Sequence, residues 1–212
     1  MKNETPKADF TIYTIGHSNH SPETFLALVE EHRIGLIADV RSSPYSGYVA
    51  DFNKEPLQKH LSARGIEYLF LGDLLGGRPE GEEFYDREGY VLYDRLAQSS
   101  GFRQGLERLL DAAASHPTAL LCGEEDPTDC HRRRLIGRVL GKRGFRVIHI
   151  RGDGRAESEQ NLAKEERFQK TKGQLTLFDL EETEPWRSTR SVSPRRPQPN
   201  SSGASNEPGS SV

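Results

Sequence analysis

Short apolar runs of strand length alternate along the chain with longer stretches whose apolar residues recur at helical spacing. Phe10-Thr11-Ile12-Tyr13-Thr14-Ile15 reads as a first strand ending at Gly16. Ser21 then offers an N-cap and Pro22 a first helical position, with Phe25, Leu26, Leu28 and Val29 on one face. Ile34 to Val40 is apolar at nearly every position, the pattern of a strand covered on both faces. A short helix from Asn53 to Arg64 leads to a third strand, Ile66 to Leu71. Helical stretches near Val91–Gln98 and Phe102–Ala114 precede a fourth strand, Thr118 to Cys122. Leu135, Ile136, Val139 and Leu140 form the inward stripe of the next helix. Phe145 to Ile150 is a fifth strand, and Glu157 to Thr171 a last, polar helix.

Strand–helix alternation of this kind predicts an α/β fold with an open, mostly parallel, doubly wound sheet and helices on both faces. The order of the strands does not follow from the pattern. The expected organisation is a flexible N-terminus over 1–9 and a single α/β domain over 10–172, followed by a partner-binding segment over 173–184 and a disordered tail over 185–212.

Composition sharpens the tail. The last 28 residues hold eight Ser, five Pro and two Gly, with only Trp186, Val192 and Val212 as large apolar side chains. A segment so poor in apolar surface does not offset the entropy of ordering it. The net charge of −3 also divides unevenly: these residues carry +3 and the remainder −6. A length of 212 residues suits one domain plus a tail. No apolar run approaches the roughly 20 residues of a membrane span. The first residues lack an apolar signal core, so a cytoplasmic protein with no membrane partner is expected. Two cysteines do not make a disulfide framework and read as free thiols or ligands.

In an open parallel sheet, ligands bind beyond the carboxyl ends of the strands. Those ends carry His17 and Ser18, then Asp39, Arg41 and Ser42, then Cys122, Glu124, Cys130, His131 and Arg132. Cys130 lies just before a helix and beside cationic residues, where a thiolate is favoured. Asp39 and Glu124 can act as acid and base, unless Arg41 neutralises Asp39 in a structural ion pair. Catalysis is therefore expected from Glu124 or Cys130, with Asp39 and His17 as further candidates. Ser18, Arg41, Ser42, His131 and Arg132 are expected to bind a phosphate or another anion. Cys122, Cys130, His131 and His17 are candidate ligands for Zn²⁺ or iron, which both accept thiolate and imidazole, although the spacing is not that of a standard finger. The helix from His131 to Arg143 is rich in Arg and Lys, which reads as a basic patch or as a face paired with acids.

Three blocks together resemble a known family. Thr14-Ile15-Gly16-His17-Ser18, Asp39-Val40-Arg41-Ser42-Ser43-Pro44, and Cys122-Gly123-Glu124 through Cys130-His131-Arg132 are similar to the hallmarks of the domain-of-unknown-function family 488. The resemblance covers roughly Tyr13 to Arg151. It implies an α/β domain and brings no assigned reaction.

A second resemblance falls near the C-terminal tail. Gln174-Leu175-Thr176-Leu177-Phe178 resembles the pentapeptide that docks on the bacterial sliding clamp. Leu177 and Phe178 would enter an apolar pocket and Gln174 make polar contacts. The alternative is a strand in which Leu175 and Leu177 share a face packed on the domain. Trp186, flanked by Arg187 and Arg190, suits base stacking with phosphate contact, or docking on the domain itself.

The resulting expectation is a nucleic-acid-associated enzyme of DNA repair or replication maintenance, brought to nucleic acid or nucleotide by the clamp. Its rivals are a non-catalytic clamp-bound adaptor and a metal- or thiol-dependent enzyme acting on a small phosphorylated substrate.

Overall fold

Residues 10–170 and 186–194 are described in the computed structural model of the chain. In chain order the elements are β1 (Thr11–Gly16), α1 (Pro22–Glu31), β2 (Leu36–Asp39), α2 (Lys54–Ser62), β3 (Glu67–Phe70), α3 (Gly72–Leu75), β4 (Tyr90–Leu92), α4 (Tyr93–Gln98) and α5 (Ser100–Ala113). Then follow β5 (Thr118–Cys122), a π-helical segment (Arg132–Gly137) that runs into α6 (Arg138–Lys142), β6 (Arg146–Ile150), β7 (Ala156–Ser158), α7 (Glu159–Lys170) and β8 (Arg187–Ser191).

Local chemistry accounts for two of the helix starts. Ser21 Oγ accepts from Thr24 N at 3.2 Å with Pro22 in the first turn, and Ser99 Oγ accepts from Phe102 N at 3.1 Å. In α5, Phe102, Leu106, Leu109 and Ala113 recur on one buried stripe. Gly105 lies on the same face, where a Cβ would stand 2.7 Å from Leu74 Cβ, so its missing side chain lets α3 close onto α5.

The strands form one six-stranded sheet in the order β3-β2-β5-β1-β6-β7, parallel except for β7, which runs antiparallel to β6. Alternate side chains feed two cores. Ile15, Ile37, Ala119, Leu121 and Ile150 face α1 and α2 through Phe25, Val29, Leu57 and Leu61. Ile12, Leu36, Ala38, Leu120 and Val147 face α5 and the helix after β5 through Phe102, Leu106, Leu135 and Ile136. Each Val, Leu, Ile or Phe among them adds roughly 1.5–3 kcal/mol of burial free energy. The expected doubly wound sheet is the observed architecture.

The order explains where a site can form. From β1 and from β2 the chain moves toward the β3 edge, through α1 and α2. From β5 it moves the other way, through the helix on the opposite face, to β6. Right-handed crossovers require this division. The end of β5 is therefore the switch point of the sheet, the place where open α/β folds bind their ligands.

Three expectations are corrected. Val91 and Leu92 do not begin a helix. They lie in β4, and the helix starts at Tyr93. β7 had no forecast. The segment 185–212 is not disordered throughout: Arg187–Ser191 forms β8, antiparallel to β4. The tail's one Trp explains the last point. Trp186 Nε1 donates to the Arg134 carbonyl at 2.7 Å, and its ring meets Tyr93 edge-on at 6.3 Å under Arg138 and Lys142. Ser188 Oγ in turn accepts from Val91 N at 2.9 Å. Residues 1–9, the pentapeptide Gln174–Phe178 and the rest of the tail lie outside the described residues. Among the described residues no helix is long and apolar enough to cross a membrane.

Candidate metal centre

Cys122 is the last residue of β5, and its carbonyl accepts from His17 N at 3.1 Å, so β1–β5 pairing holds it to the strand end. The chain then loops and returns, with Cys130 N donating to Pro127 O at 3.1 Å as the next helix begins. Arg132 keeps the loop closed. Its fully buried guanidinium donates to the carbonyls of Glu124 and Glu125 and, through Nε, to Thr14 Oγ1 at 3.3 Å. Gly16 allows the same approach from below, since a Cβ there would stand 1.8 Å from the Glu124 carbonyl oxygen. Wide π-helical turns are frequent at functional sites. Here the turn follows directly after His131.

These constraints bring Cys122 Sγ, Cys130 Sγ and His131 Nδ1 within 4.8 Å of one another. Both sulfurs are 3.8 Å from Nδ1. His131 Nε2 stands 2.9 Å from the Val40 carbonyl, which can only accept, so that nitrogen carries the hydrogen. Nδ1 is then a bare lone pair aimed at two thiols. A histidine ligand oriented by a hydrogen bond from its other nitrogen has this arrangement. Zn–S of about 2.3 Å and Zn–N of about 2.0–2.1 Å at a tetrahedral angle place S and N about 3.6 Å apart. The observed spacing is wider by about 0.2 Å, so the three side chains could hold a metal ion with little movement. Gly77 covers the imidazole, where a Cβ would sit 2.8 Å from His131 Cγ.

The thiols are unequal. A hydrogen bond from Cys130 pulls the Cys122 thiol well below its ordinary range against the cost of burial, and His131 and Arg132 act the same way. Burial, and then the hydrogen bond to Cys122 and its charge, push Cys130 well above. Cys122 is therefore the more acidic of the two thiols, and Cys130 the one that keeps its proton longer.

The other candidates lie around this centre in different roles. Asp39 is fully buried and accepts from Arg41 N, Nε and a terminal nitrogen at 3.0, 2.9 and 2.6 Å, and from Tyr68 OH at 2.8 Å. Arg41 also donates to Phe52 O at 2.8 Å and lies 3.2 Å from His17 Nε2. These two residues form the structural ion pair, and Arg41 has little left to offer an anion. His17 is held neutral: burial and then the Arg41 charge lower its pKa to about 4. Its Nδ1 hydrogen goes to Ser18 O at 2.9 Å, which leaves Nε2 to accept from Arg41. His17 thus stands beside the metal-ligand group and outside it, stacked on Phe52 at 4.4 Å. Ser42 Oγ accepts from Arg78 N at 2.8 Å, Ser18 Oγ reaches Asn19 at 3.3 Å, and Glu124 is an exposed carboxylate on the rim. Arg132 serves the loop carbonyls and not an outside anion. Arg133 and Arg134 pair with Glu159 and Glu166, so the first turn of the basic helix is matched by acids.

Sequence reasoning missed the buried line behind Arg132. His149 Nε2 donates to Glu159 at 2.8 Å, and Nδ1 accepts from Thr14 Oγ1 at 2.8 Å. Its one signal was a histidine between Ile148 and Ile150 in a strand. Tyr68 and the Val40 carbonyl were missed as well, and the carbonyl leaves no trace in residue types.

The fold and this cluster define a class: a doubly wound α/β domain with a thiol–imidazole centre where its central strand departs from its neighbours. The chain belongs to the family described as Domain of unknown function DUF488, whose model matches residues 21–139. The Asp39–Pro44 and Cys122–Arg132 blocks fall inside that match, and Thr14–Ser18 precedes it. No curated protein matches the chain.

Proposed function

We propose that the chain is a zinc-dependent enzyme in which Cys122, Cys130 and His131 bind the ion and leave a fourth position for a small substrate. The observation behind this reading is the convergence of two sulfurs on an imidazole nitrogen whose tautomer Val40 dictates. Structural zinc sites use four protein ligands, whereas catalytic sites use three and keep one position open. Among the described residues no fourth Cys, His, Asp or Glu joins the group. Zinc bound there would supply Lewis acidity to a carbonyl or phosphoryl group. The chain's own residues hold the donors: Val40 orients His131, Arg132 closes the loop between the cysteines, and Gly77 shields the ring. Glu124, an exposed carboxylate of the loop between the cysteines that lies 3.9 Å from Arg190, is the group we assign to moving a proton.

The nucleic-acid reading drew its phosphate contacts from Arg41 and Arg132. Their internal bonds shift the weight to the small-molecule alternative.

The test uses Co²⁺ in place of spectroscopically silent zinc. The full chain should take up one ion per molecule with a thiolate-to-cobalt absorption band, and the Zn²⁺-loaded chain should turn over members of an ester and phosphate panel. Cys122→Ser, Cys130→Ser and His131→Ala should each lose both properties. Uptake without the thiolate band, or no uptake, would sink the assignment.

A further inference from the structure

The same two sulfurs carry a second chemistry. The cysteines are eight residues apart, each is fixed by a backbone hydrogen bond, and their Sγ atoms lie within 4.8 Å of one another beside a free imidazole lone pair. Cys122 at the strand end is 8% exposed and Cys130 is 2% exposed, so a small oxidant reaches Cys122 first. A disulfide bond is about 2.05 Å long, so sulfurs within 4.8 Å of one another have at most about 2.8 Å to close. Neighbouring thiols that can resolve each other's oxidation mark redox-sensitive pairs.

We infer that Cys122 and Cys130 form a reversible intramolecular disulfide when the chain meets a hydroperoxide, and that closing this bond releases the ion from the centre. The part about release rests on the zinc reading; the disulfide stands on the sulfur geometry alone. With hydrogen peroxide, the Cys122 sulfur attacks one oxygen. An S–O bond forms, the O–O bond breaks, and the departing hydroxide takes the Cys122 proton to become water. The Cys130 sulfur then attacks the Cys122 sulfur. An S–S bond forms, the S–O bond breaks, and a second water leaves with the Cys130 proton, relayed by His131 Nδ1. The two thiols lose two electrons and two protons, and the peroxide gains them. A disulfide sulfur carries no charge and is a poor ligand for zinc, so the centre falls from three donors to one.

The experiment uses the full chain, metal-free and zinc-loaded, treated with hydrogen peroxide. Intact mass, iodoacetamide capture of remaining thiols and a colorimetric zinc indicator are read together. In the metal-free chain the expected result is loss of both reactive thiols with a mass lower by two hydrogens, reversed by dithiothreitol. In the zinc-loaded chain one ion should appear in solution for each pair of thiols lost. Cys130→Ser should gain one oxygen at Cys122 and form no intramolecular bond. Oxidation of the wild-type chain that stops at added oxygen atoms, or two thiols that remain capturable, would overturn the inference. A zinc-loaded chain that forms the disulfide and keeps its ion would overturn the release and leave the zinc reading standing. A chain that forms the disulfide and never takes up zinc would support the bond and sink the zinc reading.

Discussion

Gly77 shows how little freedom single positions have around the centre. Its Cα lies against the His131 ring, and a methyl group would overlap Cγ and Nδ1 at 2.8 and 2.9 Å. Gly77→Ala should therefore turn the imidazole away from Val40 and weaken Co²⁺ binding at least tenfold while the chain stays folded, measured by titrating the thiolate band. His17 makes a different prediction. Its pKa is about 4 in the folded chain against 6.5 when unfolded, so the folded state resists protonation. The stability tied to neutral His17 is complete above pH 6.5 and is lost as pH falls toward 4. The loss reaches about 3 kcal/mol. His17→Gln should flatten that part of the stability–pH curve in urea unfolding. An unchanged curve would place the charge sensitivity elsewhere. At this scale the residue types were legible and their assignments only in part. Cys122, Cys130 and His131 stood out because soft ligands cluster at one strand end. Arg41 and Arg132 looked equally available for anions, because a sequence does not reveal which guanidinium a backbone carbonyl or a buried Asp39 has already engaged.

Elements depend on contacts of two kinds, and only one kind is local. The cap at Ser21, Pro22 and the stripe of α5 are readable because their partners lie within one or two turns. β8 and β4 pair across 97 residues, and Val91 and Leu92 read as helix until that partner is known. Trp186→Ala removes the anchor of β8. It should cost about 2–3 kcal/mol, less than a fully buried Trp because the ring is half-buried. Hydrogen exchange at Val91 should rise in that variant, and protection equal to wild type would show that the Ser188 contact suffices. The loop between the cysteines depends on Arg132 in the same way. Arg132→Met leaves two carbonyls and Thr14 without their donor, at about 3 kcal/mol. The variant should lose the thiolate–cobalt band even at temperatures where its far-UV circular dichroism is that of wild type.

Across the whole molecule, the class of fold followed from the alternation of patterns, and the order of the strands did not. β1 and β2 are consecutive in the chain, yet β5 lies between them. No periodicity encodes that choice; packing of two helical layers on opposite faces does. The insertion puts the Cys122 end of β5 between His17 at the end of β1 and Asp39 at the end of β2. Binding energy at such a point is shared by the entire fold. Zinc held at one hundred times its dissociation constant should raise global stability by about 2.7 kcal/mol. For a domain of this size that is a thermal shift of roughly 5–10 °C. A chelator should reverse the shift, and a melting temperature indifferent to chelation would separate the cluster from any stabilising ion.

The pairing of β4 with β8 also has a consequence during synthesis. A ribosome adds roughly 5–20 residues per second, so the 97 residues separating Val91 from Ser188 take roughly 5–20 s to appear. For that interval Tyr93 has no indole beside it and one edge of Tyr90–Leu92 has no neighbour. A nascent chain stalled before Trp186 would keep the edge open for as long as it stays on the ribosome, a window in which chaperones or proteases meet a strand that the finished molecule hides.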